Sequence, residues 1–227
     1  MSHPLFSTSF DRALKLAAIV HARQRRKGTQ VPYIAHPVHV ARLLALDGQP
    51  HVVVLAGVLH DVLEDFDAAN SQTRTELAEV FPELAATPDD PAAWTRALGA
   101  TVEREFGAET RRCVEAVTEV KRHDGAARPW KVRKLEQLDH LRQADPPVAA
   151  LKAADALHNV ASILADLDAN GVSVFARFKA PADETLWYYR TVAEIAAERL
   201  DGTPSGLAVE LAVAVDRLAS AVDATRP

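Results

Sequence analysis

The chain is expected to fold as an all-α helical bundle, on three features of the sequence. Alanine and leucine abound while glycine is scarce, at 9 of 227 residues, so little interrupts the helical stretches. Apolar positions recur at helical spacing almost everywhere. Alternating β-branched runs, the mark of half-buried strands, are nearly absent, and no internal repeat or low-complexity tract breaks the pattern.

Residues 8–25 read as the first helix, with Phe10, Leu14, Ala17 and Ala18 on one face, and the polar stretch RRKGTQVP ends it. The second covers about 37–47, because Pro37 suits a first helical turn, and DGQP closes it. The third, about 50–65, contains VVVLAGVLHDVLED, an apolar run that ends in a histidine and three carboxylates. In residues 66–107, DFDAANSQTR reads as a turn and is followed by a helix at 74–80. ATPDDPAA then breaks the chain before a helix at 92–105. Further helices are predicted at 109–120, 129–144, 147–168, 183–200 and 206–223. The simplest organisation is one domain over 1–227, with an atypical insertion at about 66–107 and a C-terminal helical extension at about 183–227.

Bulk properties narrow the function classes. A formal charge of -5 argues against a general nucleic-acid binder. Cys113 is the single cysteine, which excludes a disulfide framework and a CxxC metal site and fits a reducing, cytoplasmic setting. The opening residues MSHPLFSTSF lack a basic stretch followed by an apolar core, so no secretory signal is expected. No apolar run approaches the roughly 18–20 residues of a membrane helix, and no membrane partner is expected. The last helix, LAVELAVAVDRLASAV, is apolar over more than one face, a pattern that fits either burial in the fold or a homo-oligomer contact.

The chemistry gathers at the end of the third helix. On a continuous helix His60 stacks above Glu64, and Asp61 above Asp65, and these two columns lie side by side. Three carboxylates in an apolar setting repel one another and need a positive partner. A divalent cation answers that need, and mixed nitrogen and oxygen ligands suit manganese, iron or zinc better than calcium. Alone, the His-Asp pair reads better as a solvated helix end, because the dipeptide is common. Two further residues tip the balance: His36 in PYIAHPVHV begins the second helix, and Asp155 in ALKAADALHNV interrupts a strongly apolar one, where a lone carboxylate is costly. His39 and His158 suit structural or supporting roles. His3, His21, His51, His123 and His140 carry no spacing that asks for a metal.

The set His36, His60-Asp61, Asp155 resembles the H…HD…D signature of the HD-domain metal-dependent phosphohydrolases. RRKGTQVPYIAHPVHVA, GVLHDVLED and KAADALHNV are similar to the hydrolase domain of the RelA/SpoT enzymes and their small stand-alone relatives. That likeness covers about 8–65 and 105–165, is weaker up to 200, and is absent in 66–104. The resemblance implies an HD-domain helical bundle that removes the 3′-pyrophosphate of the guanosine alarmones ppGpp and pppGpp. It implies one divalent metal ion, manganese, held by His36, His60, Asp61 and Asp155. Glu64 and Asp65 match the family's pair that orients and activates the attacking water. Arg26 and Lys27 fall on the pair that stacks on guanine and approaches phosphate, and Asn159 matches an asparagine that contacts the nucleoside. Arg133 and Lys134 fall in a charged loop and either reach a substrate phosphate or are ordinary surface residues. One tyrosine of LWYYR is allowed to border the base pocket, although aromatic core packing is the simpler reading.

The sequence departs from the family at two places. Phe66 follows the Glu64-Asp65 pair where the family has a threonine, and the next Phe-Gly arrives only at Phe106-Gly107. Gly28 stands where serine is common, in a basic loop one residue longer before Pro32. Other nucleotides or dinucleotide phosphates are therefore alternative substrates, and a non-catalytic nucleotide-sensing module is the alternative of a different class. No synthetase domain follows within the 227 residues, so any alarmone activity is expected to be hydrolytic only.

Overall fold

The computed structural model describes residues 7–123, 126–171, 174–175 and 180–224. His3 and the end of the predicted extension, 225–227, lie outside them. The described residues are almost wholly helical, in accord with the all-α expectation. Their only strands are the two-residue pair β1 (Arg122–His123) and β2 (Ala126–Ala127). By their contacts the residues group into two compact units, 1–41 with 50–118 and 42–49 with 119–227.

The first unit is built on α3 (His51–Leu59), buried at every position from Val53 to Leu59. A helix apolar all round must lie inside its unit, and α1 (Thr8–Val20) and α7 (Ala108–Val117) both pack on it. Thr110 joins α7 to α3 by donating to the Val52 carbonyl at 3.2 Å. Ser7 caps α1 by accepting from the Phe10 N–H. The inward stripe of α1 is Ala13, Leu16, Ala17 and Val20, one step round from the face read off the sequence, and Ala18 is exposed. α1 also stops at Val20 rather than residue 25, because the chain turns back on itself and pairs Arg25 with Pro32.

Two short helices and one long one fill residues 66–107. They are α5 (Ser71–Val80), a 3-10 turn at Pro82–Ala86, and α6 (Pro91–Phe106). Asn70 and Asp90 supply the caps, and Pro91 takes the first turn of α6, which accounts for the Pro/Asp break in the sequence. Leu77, Phe81, Leu84, Leu98 and Val102 are buried, so this segment has a core of its own. It is tied to α1 by Arg12, which pairs with Glu105 at 2.6 Å and lies over the Phe81 ring. Arg23 adds bonds to Thr73 and Glu76.

The second unit centres on α9 (Pro146–Asn170), against which α8 (Trp130–Arg142), α10 (Ala182–Arg199) and α11 (Leu207–Asp223) pack. By length and composition α9 is the one described helix that could cross a membrane, whereas the sequence reading, which placed a helix at 147–168, expected no apolar run of that length. Most of it is buried in its unit's core. Residues 42–49, which include the end of α2 (Ala35–Leu46), belong to the same unit. Asp47 there accepts from the Gly206 N–H at 2.7 Å and from the Ser205 hydroxyl at 2.8 Å, and so fixes the start of α11.

Because Phe81 is fully buried, Phe81→Ala is expected to cost about 3–5 kcal/mol. Urea denaturation measures it, and a loss below about 1 kcal/mol would mean that the 66–107 segment adds little to the core of its unit.

Candidate metal centre

The predicted third helix is not continuous. It ends at Leu59, passes through His60 and Asp61, and resumes as the four-residue α4 (Val62–Asp65). The cause is local. His60 Nδ1 donates to the Gly57 carbonyl at 2.9 Å, and in an unbroken helix that carbonyl would serve the Asp61 N–H. Asp61 keeps a near-helical backbone, φ -96° and ψ -3°, and its carbonyl still accepts from the Asp65 N–H at 2.9 Å. Asp61 and Asp65 therefore remain one turn apart, as expected, and His60 is buried.

A carbonyl can only accept, so His60 Nδ1 carries a proton, and Nε2 is the nitrogen turned toward the neighbouring side chains. His60 Nε2 lies 3.0 Å from Asp61 Oδ2 and 3.2 Å from His36 Nε2. His36 Nε2 is 3.7 Å from the same carboxylate oxygen. Both imidazoles are buried, at 1% and 3% exposure, while Asp61 is 17% exposed. His36 is set by the first turn of α2, where its N–H donates to the Tyr33 carbonyl at 2.9 Å. Tyr33 then donates its hydroxyl to Asp61 Oδ2 at 2.6 Å.

This donor set fits a divalent ion. Ligand atoms about 2.1 Å from a metal and at right angles lie about 3 Å from each other, close to the separations of His60 Nε2 from its two neighbours. Two imidazole nitrogens facing each other across 3.2 Å with a carboxylate oxygen beside them form the mixed nitrogen and oxygen set that transition metals prefer. The protonated Nδ1 of His60 on a carbonyl is the usual outer support of a ligating histidine. Glu64 and Asp65, on α4, are half-buried beside this set.

Arg26 and Lys27 occupy a tight loop in the same unit. The Arg26 N–H donates to Val31 O at 2.8 Å and Thr29 N–H to Arg26 O at 2.9 Å, with Gly28 at φ +73°. A residue with a Cβ is disfavoured at that φ by roughly 1–2 kcal/mol, so glycine in place of the family's serine belongs to this particular turn. The Arg26 guanidinium lies 5.6 Å from the Tyr33 ring centroid, and Lys27 is exposed.

Asp155 and Asn159 lie on α9 in the second unit. Asp155 is held from both sides, by Lys152 Nζ at 2.8 Å and by Asn159 Nδ2 at 2.6 Å. Sequence reading overlooked Lys152, although its place three residues before Asp155 on an apolar helix was a usable signal. Burial works against the Lys152 charge, yet Asp155, Tyr188 and Glu119 hold its pKa well above the ordinary lysine value. Glu119, also overlooked, is 7% exposed and takes ion pairs from both Arg133 and Lys134. Those two cations are thus drawn inward and are not ordinary surface residues. Tyr188 is buried, bonds Gln137, and carries the Lys134 ammonium 4.5 Å from its ring centroid, so it packs as the aromatic core reading expected.

The model of the HD domain family matches residues 13–184, more than half of the chain, and the chain belongs to that family. Among curated relatives, mouse MESH1, a guanosine-3′,5′-bis(diphosphate) 3′-pyrophosphohydrolase, is 35% identical over 151 residues. The match covers 65% of this chain, and the chain spans 65% of the length of that relative. The solved structure of lmo0812 from Listeria monocytogenes superposes with a TM-score of 0.61 at 27% identity, over 81% of this chain and 97% of that one. A metazoan ortholog of SpoT, described as hydrolysing ppGpp, has the same fold, with a TM-score of 0.61 at 23% identity over 96% of each chain.

Burial alone would raise the Glu119 carboxyl, but Lys134, Lys152 and Arg133 together hold its pKa below 4.5. Its stabilising effect is complete above pH 4.5 and is lost as the pH falls through the lower folded value. Glu119→Gln is therefore expected to cost about 3–5 kcal/mol at pH 7. That gap should narrow steadily in urea titrations carried below pH 4.5, and a gap independent of pH would contradict the charge assignment.

Proposed function

We propose that the protein is a manganese-dependent hydrolase that removes pyrophosphate from the 3′ position of ppGpp or pppGpp, leaving GDP or GTP. The observation that carries this reading is the buried donor set of His36, His60 and Asp61, with the Glu64-Asp65 pair one helical turn further on. The name and sequence likeness of mouse MESH1 support the choice of substrate. The resemblance assigns the fourth ligand position to Asp155. A reducing cytoplasmic setting goes with the reading, since the lone Cys113 is a buried free thiol.

A divalent ion bound by these ligands supplies Lewis-acid polarisation of the phosphoryl oxygens and of water. The chain's own residues do the rest. Glu64 and Asp65 orient the attacking water and accept its proton. The water oxygen joins the phosphorus attached to the 3′ oxygen, the bond between those two atoms breaks, and the 3′ oxygen takes up a proton to become a hydroxyl. Arg26 offers its guanidinium face to the guanine, Lys27 its ammonium to a phosphate, and Asn159 its amide to the nucleoside. Arg133 and Lys134 are held by Glu119, which makes them a charged support more readily than direct phosphate ligands.

A second reading keeps the chemistry and changes the substrate to another nucleotide phosphate. It rests on the helical 66–107 segment and the Gly28 turn, both placed next in sequence to proposed site residues. A panel of nucleotides incubated with and without manganese separates the two. Pyrophosphate release from ppGpp supports the first, and turnover of other nucleotides with none from ppGpp removes it. The intact Glu64-Asp65 pair argues against a silent sensing module, which has no need of a water-activating pair.

Asp61→Ala and Glu64→Ala are expected to part company. The first should lose bound manganese, read by metal analysis of the purified protein. The second should keep the metal and lose about 10²–10⁴-fold in rate. Equal metal content with equal rates in both variants would refute the assigned roles.

A further inference from the structure

The segment between α1 and α2 contains a histidine that no spacing in the sequence singles out. His21 caps the end of α1 and is 2% exposed. Its Nδ1 lies 2.6 Å from Gln24 Oε1. The other end of that amide, Gln24 Nε2, reaches the Asp65 carbonyl at 3.4 Å. The carbonyl can only accept, so Gln24 Nε2 must face it and Oε1 must face His21, whose Nδ1 therefore carries the proton. His21 Nε2 is left as a buried lone pair with no hydrogen-bond partner. The His21 ring lies against Tyr33, centroids 4.9 Å apart, and Tyr33 is the residue that donates to Asp61 Oδ2.

These contacts close a circuit. From His21, one arm runs through Tyr33 to the Asp61 carboxylate, and the other through Gln24 to the Asp65 carbonyl. Asp61 and Asp65 are themselves joined by a backbone bond of 2.9 Å. The four-residue α4 is too short to hold its own geometry. It is gripped at both ends from the loop that carries Arg26 and Lys27, and Tyr33 N–H adds a 3.1 Å bond to the Gln24 carbonyl.

We infer that His21 and Gln24 are a positioning pair that aims Asp61 at the metal and holds Glu64 and Asp65 in register with it. The inference rests on the proposed metal-dependent reading. Neither residue touches the reacting atoms; they act through Tyr33 and through the Asp65 backbone. Supporting residues of this kind typically change metal affinity or activity by about 10–100-fold when removed.

The test uses the full chain and free manganese, with binding followed by electron paramagnetic resonance. His21→Leu and Gln24→Leu should each weaken manganese binding about 10–100-fold. Both should lower kcat for pyrophosphate release by a similar factor and leave KM within about twofold, because the nucleotide grip is not addressed. His21→Asn, which returns an N–H donor close to the position of Nδ1, should recover most of the affinity. Gln24 is half-buried, so its variant remains informative if His21→Leu does not fold. Manganese affinity within twofold of the parent in folded Gln24→Leu overturns the inference, as does His21→Asn binding no better than His21→Leu. Manganese binding is read without any nucleotide, so a parent that binds the ion but spares ppGpp removes only the substrate reading. A parent that binds no manganese removes both.

Discussion

The hydrogen bond from His60 Nδ1 to the Gly57 carbonyl is the constraint on which the first unit's site depends. It engages the carbonyl that would continue α3, at the point where the apolar run meets the acidic one. The same bond decides which ring nitrogen faces His36 and Asp61. A buried imidazole with a fixed tautomer is a rigid ligand, whereas a solvated one at a helix end would have to be ordered on binding at an entropic cost. The burial of Val53 to Leu59 makes the arrangement durable, since the break cannot move along the chain without exposing apolar side chains.

The two units settle their buried charge in different ways. In the first, Asp61 is met by a phenol hydroxyl and two imidazoles. In the second, Asp155 and Glu119 already have full cationic partners in Lys152, Arg133 and Lys134. Lys152 gives Asp155 a counter-charge of the chain's own. Burial works against that ammonium, and Asp155 is the first of the groups that hold it charged.

Much of the architecture was legible because helical periodicity is a local property, and the helices from α5 to α11 begin and end within a few residues of where the apolar pattern puts them. What the pattern could not show was the break at His60. Val62 continues the apolar face, and both residues of the break stay in the helical region of the backbone map. The candidate ligands stood out because each is polar at an otherwise apolar position. His21 did not, since it sits in HARQRRKG, where a charged helix end is the natural reading. Its burial depends on Tyr33 folding back over it twelve residues later, which no local pattern encodes. Glu119 was hidden for the same reason: its partners Arg133 and Lys134 are brought to it only by the chain reversal between α7 and α8.

Residues 66–107 obey the same logic of grip. Phe66 ends α4 where its N–H meets the Val62 carbonyl, and α5 begins only five residues later. Arg23, two residues beyond His21, holds Thr73 and Glu76 on α5, while Gln24 holds the Asp65 carbonyl. Three successive polar contacts from one short stretch thus fix the end of α1, the end of α4 and the start of the divergent helices. The carboxylate pair on α4 is thus held from the residues before α2, and α4 also packs on α6. The stretch from α5 to α6 is bound in turn by the partners it presents to Arg12 and Arg23 and by its own buried side chains, Phe81 and Leu98 among them.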